Sequence, residues 1–231
     1  MIKGYIFDYG GTLDTGGQHW GKVIWHAYQR QCVPVSEPVF RDAYVHAERT
    51  LGKNPIIQSD FTFRRTLEEK IRIEMEYIRE VANVECGTRC VEAVVSDLYG
   101  HTKAETAKSR EVLLQLRDKY PMVLVSNFYG NISTVLREFQ LDGIFTKIIE
   151  SAVVGVRKPD PHIFTLGVEA LGLQPGEVVV VGDSMDKDII PARHAGCQTV
   201  WFKGEGWTDD PVDPSAADRV ITSLNELTDE L

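Results

Sequence analysis

The sequence predicts an α/β fold: a doubly wound parallel sheet in three layers, interrupted near its start by a helical bundle. Three observations predict it. Uninterrupted apolar runs recur in the second half, at Met122 to Ser126 and at Glu177 to Gly182, where the residues read Glu-Val-Val-Val-Val-Gly. Such runs, bounded by helical stretches, suit strands buried on both faces, as a parallel sheet requires. The opening segment Ile2 to Asp8 has the same character and is expected to join that sheet. Between it and the next strand lies a long stretch with helical periodicity and no convincing strand.

In that stretch, from Trp20 to about Tyr99, apolar residues fall at helical spacing. They are Val23, Ile24, Ala27 and Tyr28, then Phe40, Ala43, Tyr44 and Ala47, then Leu67, Ile71, Met75 and Ile78. A further helix is predicted over Val91 to Leu98, giving a bundle of about four helices. The expected division is therefore an α/β core of residues 1–15 and 100–231, with residues 16–99 as a helical cap.

From Lys108 the pattern alternates. A helix precedes the strand Met122 to Ser126; then come a helix from Asn131, a short strand Lys147 to Glu150 and a helix from Asp160. The strand Glu177 to Gly182 follows, then a helix Ile189 to Ala195 closed by Gly196, a strand Thr199 to Phe202 and a last short one at Arg219 to Ile221. Right-handed crossovers make this a Rossmann-like doubly wound domain, with loops at the carboxyl ends of the strands forming the site. Gly204 to Ala217, rich in Gly, Pro and Asp, is expected to be a surface loop.

At 231 residues, 43% of them hydrophobic, the chain can bury a core domain plus a smaller lobe. A net charge of −9 argues against nucleic acid and anionic membrane surfaces as partners, since both need a basic field. There is no apolar run of roughly eighteen residues, and the opening residues lack a basic-then-apolar signal segment. A soluble, cytoplasmic protein is expected, with monomer and weak dimer both open. The cysteines, Cys32, Cys86, Cys90 and Cys197, are too few for a disulfide scaffold, and reduced thiols are expected. Cys86 and Cys90 would share a helix face, but no second Cys or His pair completes a zinc site.

Four segments at strand ends each meet a need of phosphoryl transfer. Asp8 ends the first strand and is followed by Gly10, Gly11 and Thr12, a carboxylate beside glycines that let backbone amides approach an anion. Ser126 and Asn127 end the second predicted strand with a hydroxyl and an amide for phosphate oxygens. Lys158 stands before Pro159, where its charge can neutralise both nucleophile and transferring group. Asp183 and Asp188 follow the valine-rich strand, and carboxylates without histidine favour magnesium over zinc.

With these segments in this order, the chain resembles the haloacid dehalogenase superfamily of hydrolases, in the subgroup with a helical cap inserted after the first motif. The resemblance implies that Asp8 is the nucleophile and that Ser126, Lys158, and Asp183 with Asp188 are the second, third and fourth motifs. It implies a phosphatase of a small phosphorylated metabolite, with magnesium held by Asp8, the Gly10 carbonyl and Asp183, and Asp188 supporting that shell. Ser126, Asn127, Lys158 and the amides around Gly10 and Gly11 are then the phosphate ligands. The dehalogenases of the family usually lack the two acids of the fourth motif and tend to carry a tyrosine where Gly10 stands.

Gly10 departs from the phosphatase pattern. The resemblance places there an aspartate that protonates the leaving alkoxide and then deprotonates the attacking water, work typically contributing about 10²- to 10⁴-fold. Without it, good leaving groups should suffer least, and phospho-Asp8 should be long-lived unless another base steps in. Asp14, His19 and His26 are the nearby candidates, whereas Tyr9 should point away from Asp8. Two alternatives stay open. Phosphonate-cleaving relatives have a small residue at this position and use a cap lysine, for which Lys53 is the candidate here. A module that binds phosphate and metal without turnover is the other.

Overall fold

The computed structural model describes residues 1–208 and 210–228. Six strands form one sheet: β1 (Gly4–Phe7), β2 (Met122–Ser126), β3 (Lys147–Glu150), β4 (Val178–Gly182), β5 (Gln198–Phe202) and β6 (Arg219–Ile221). Their order is β3-β2-β1-β4-β5-β6, and every pairing is parallel. Each β-branched run is buried on both faces because successive side chains alternate sides. Ile6, Val123, Val125, Val178 and Val180 pack on one side against α7 (His162–Leu171) and α8 (Ile190–His194), through Ile163, Phe164 and Ala192. Phe7, Met122, Leu124, Val179 and Val181 face the other way.

That second face joins a larger apolar cluster, which runs through α4 (Thr88–Arg117) and α5 (Ile132–Glu138) and continues into the inserted helices. The insertion comprises α1 (Trp20–Arg30), α2 (Glu37–Lys53), α3 (Phe63–Ala82) and the first half of α4. Their predicted apolar positions Ile24, Ala27, Phe40, Ala43, Leu67 and Ile71 are all buried. None of the helices among the described residues is long and apolar enough to cross a membrane.

Three local expectations are corrected. The helix predicted at Val91–Leu98 and the one ending before Met122 are a single α4, unbroken through Gly100. Glycine there lowers helix propensity by about 1 kcal/mol, but the helix is held by packing at both ends, Val94, Val95 and Leu98 in the insertion and Val112, Leu113 and Leu116 against the sheet. The helix after β4 opens with a π-helical turn at Met185–Ile189 before α8. Cys86 and Cys90 are joined as a disulfide rather than reduced. Cys86 precedes α4, so the pair does not lie along one helical face, and its Cα atoms come within 5.8 Å, inside the range a disulfide bridges. A short α6 (Ser151–Val154), not anticipated, follows β3.

Candidate active site

The parallel order puts the carboxyl ends of β2, β1 and β4 side by side, and the sequence motifs arrive there together. Asp8 follows β1, Ser126 closes β2, and Asp183 follows β4. Lys158, from the segment before α7, reaches across with its Nζ 2.5 Å from Asp8 Oδ1 and 2.6 Å from Asp188 Oδ1. Carboxylate oxygens of Asp8, Asp183 and Asp188 lie within 4.8 Å of one another.

Small residues make this convergence possible. A Cβ on Gly11 would lie 2.4 Å from the Asp183 carboxylate, and Gly11 has φ +99°, a conformation that strains other residues. A Cβ on Gly182 would strike Asp188 at 2.4 Å. Gly10 differs, since its nearest neighbour to such a Cβ is Trp20 at 3.9 Å. Thr12 ties the first and fourth motifs together, its Oγ1 donating to Asp183 Oδ1 and accepting from the Asp183 amide, both at 3.0 Å.

Burial dominates the electrostatics. It pushes the Asp8 carboxyl up to about 6 against the lowering effect of Lys158. Burial, then Asp188 and Asp8, raise Asp183 well above its ordinary value. For Lys158 burial works downward, but the carboxylates of Asp188 and Asp8 more than offset it and raise the ammonium. One cation thus faces three crowded carboxylates, an excess of negative charge that a divalent cation relieves. The donors are all oxygen, which suits magnesium.

Ser126 Oγ is buried on the cavity wall and has no partner among the described residues, leaving it able to bond a ligand oxygen. Asn127 differs from expectation in detail. Its Nδ2 donates to the Lys158 carbonyl at 3.0 Å and its Oδ1 accepts from the Lys158 amide at 2.9 Å, so the side chain brackets Lys158.

Over these groups lies a cavity of about 950 Å³ between the sheet edge and the inserted helices. Lys53 borders it with an exposed side chain, whereas a Schiff-base lysine needs burial. Lys70 of the insertion, by contrast, is buried, paired with Glu48 and lying 4.6 Å from the Tyr44 ring centroid. Glu48 also accepts from the Tyr129 hydroxyl at 3.1 Å. His19 caps α1 by accepting from the Gly21 amide, and burial, then Lys187, lower it to about 4. His26 pairs with Glu205 at 2.7 Å. Tyr9 is fully buried beside Phe128.

Sequence reasoning placed Thr12 in the first motif without its tie to Asp183, and missed Trp20, Lys70, Glu48 and Trp207 as neighbours of the site. Lys70, Glu48 and Trp207 reach the site only across the fold, and Trp20 reads as an ordinary helix-start residue. The described residues from Gly204 to Ala217 are mostly exposed, as a surface loop requires, but Trp207 packs on His19 and Tyr44 at 5.1 and 5.0 Å and lines the cavity.

Comparison with known proteins bears on the family and the fold. The chain is 33% identical over 141 residues to the glyceraldehyde 3-phosphate phosphatase of Pyrococcus furiosus, covering 58% of each chain. It is 39% identical over 83 residues to the phosphoserine phosphatase of Thermus thermophilus, covering 36% of this chain and 32% of that one. The chain therefore spans about half the length, or less, of these curated relatives. A crystal structure of a dehalogenase superposes with a TM-score of 0.67 at 18% identity, over 100% of this chain and 97% of that one, and shows the shared fold. The model of the haloacid dehalogenase-like hydrolases matches residues 2–196, and the chain belongs to that family.

Proposed function

We propose that the protein is a magnesium-dependent phosphatase of a small phosphorylated metabolite, working through an aspartyl-phosphate on Asp8. The observation that carries this reading is the meeting of Asp8, Asp183 and Asp188 with Lys158 at one sheet edge, open to a cavity of metabolite size. The names of the curated relatives support the substrate class. In this reading Asp8 attacks phosphorus and Lys158 steadies both the nucleophile and the phosphoryl oxygens. Ser126 and the Gly10 amide hold those oxygens, the Gly11 amide expected to join them being given instead to Asp14 Oδ1 at 2.7 Å, while Asn127 holds Lys158 in place. Asp8, the Gly10 carbonyl and Asp183 would bind the magnesium, with Asp188 in support. When bound, the ion supplies charge neutralisation at the phosphoryl oxygens.

The chain divides, in this proposal, into a core of residues 1–15 and 100–231 and a cap of residues 16–99. Cap closure excludes water and selects the substrate. Lys53 is too exposed to favour the phosphonate-cleaving alternative. The test is hydrolysis of a panel of sugar, hydroxy-acid and acyl phosphates, with magnesium or with chelator. Wild type with magnesium should release phosphate, and Asp8→Asn should not. Undiminished turnover in Asp8→Asn, or in chelator, would overturn the reading.

A further inference from the structure

Gly10 leaves the site without a carboxyl at the place where the family resemblance expects proton transfer, but a second carboxyl enters the same cavity from four residues on. Asp14 is fully buried and borders the cavity together with Asp8 and Gly10. Its Oδ1 accepts from the Gly11 amide at 2.7 Å and its Oδ2 from Trp20 Nε1 at 3.0 Å. The same indole bounds the space that a residue-10 side chain would occupy, since a Cβ on Gly10 would lie 3.9 Å from Trp20 Nε1 and Cδ1 and nearer to nothing else. Trp20 Nε1 is thus the common neighbour of the Asp14 carboxyl and of the opening beside Gly10.

The other nearby groups are less well suited. His19 lines the cavity, but its Nδ1 caps α1 and burial lowers the ring to about 4, while His26, paired with Glu205, and Tyr9 are not among the residues that line the cavity. We infer that Asp14 is the proton donor and acceptor of this hydrolase, serving the leaving-group oxygen from position 14 through the space that Gly10 leaves open. The inference rests on the phosphatase reading of the same site.

In the first step an Asp8 oxygen bonds to phosphorus, the ester P–O bond breaks, and its electron pair stays on the leaving oxygen, which takes the Asp14 proton. The products are an alcohol, phospho-Asp8 and the Asp14 carboxylate. In the second, that carboxylate takes a proton from water as the water oxygen bonds to phosphorus and the P–O bond to Asp8 breaks, releasing phosphate and restoring both acids. The environment suits a group that must hold a proton near neutrality. Burial pushes Asp14 up to about 8, against the hydrogen bonds from Gly11 and Trp20, with Asp8 adding a smaller upward push. The other titratable neighbour in its own segment is Tyr9. From α1 it meets Trp20, an uncharged group, and α4 presents Ser109 at Leu13 and Glu105, paired with Lys108, at Gly16.

The experiment compares kcat/KM for an alkyl phosphate and for acetyl phosphate, whose leaving group needs no proton. In Asp14→Asn the alkyl phosphate should lose about 10²- to 10⁴-fold, while kcat/KM for acetyl phosphate stays within a few fold and phospho-Asp8 accumulates in a burst. Equal losses on both substrates, or no loss, would overturn the inference. A second variant guards against misfolding. Trp20→Phe removes one donor to the ionised carboxyl and should move the alkaline limb of kcat/KM for the alkyl phosphate to higher pH; an unmoved limb would sink the assignment. Turnover that survives Asp8→Asn overturns the phosphatase reading itself and this inference with it.

Discussion

Gly10 and Gly11 are adjacent and chemically identical, but the structure asks different things of them. Gly11 sits at φ +99° with its missing Cβ pressed against Asp183, whereas Gly10 has ordinary space around it. Gly11→Ala should therefore destabilise the fold by about 1–3 kcal/mol from backbone strain alone, and displace Asp183. Gly10→Ala should leave the urea midpoint nearly unchanged. Similar midpoints for the two variants would contradict the geometry. The pair also marks where the site was legible in sequence. Asp8, Lys158, Asp183 and Asp188 announce themselves by residue type at strand ends. Thr12 and Asp14 are legible only in part, because a threonine bonded to an aspartate 171 positions away has no local signature of that bond, and the sequence leaves Asp14 level with His19 and His26, its burial being set by the fold.

At the scale of elements, strands were the most legible feature, since valine-rich runs such as Val178–Gly182 have few other uses in a chain of this composition. Continuity was the least. Nothing local says that α4 passes unbroken through Gly100, because distant packing at both ends decides it. The segment between β5 and β6 shows the same limit. Its composition is that of a loop, but Trp207 wedges against the α1 backbone, and a Cβ on Gly21 would lie 2.0 Å from the indole. Arg41 of α2 stacks on that ring at 4.3 Å and donates to the Trp207 carbonyl at 2.9 Å. Glu205 adds an ion pair to Lys22 and a hydrogen bond to His26 of α1. This segment straps the inserted helices to the sheet. Trp207→Ala should remove about 2 kcal/mol of stability, less than a fully buried tryptophan because the ring is half-exposed. Gly21→Ala should destabilise wild type by displacing the indole, yet stabilise the Trp207→Ala variant, where only the gain in helix propensity of about 1 kcal/mol remains. Additive effects in that cycle, read by urea denaturation, would show that the indole does not rest on Gly21.

For the whole molecule, the continuous apolar cluster and the site do opposite things to stability. The cluster joins one sheet face to the inserted helices, and so holds the fold together across the boundary where the site lies. The site concentrates three carboxylates against one ammonium at that boundary, in a chain whose net charge is already −9. Removing one partner from such a buried group leaves an uncompensated charge, whereas adding a cation relieves several repulsions at once. Magnesium should therefore stabilise the native chain by mass action, by about 2.7 kcal/mol at a hundredfold excess over Kd. For a chain of this size that is a rise in Tm of roughly 5–10 °C. Asp183→Asn separates the two sides of the argument. It removes an acid that burial and its neighbours disfavour, so the variant in chelator should melt no lower than wild type in chelator. It also removes a proposed ligand, so the rise with magnesium should shrink to within a degree or two. Scanning calorimetry of both proteins, with magnesium and with chelator, checks this directly. A variant that melts far below wild type in chelator, or that keeps the full magnesium shift, would show that the Asp183 carboxylate is structural rather than a charge held for a cation.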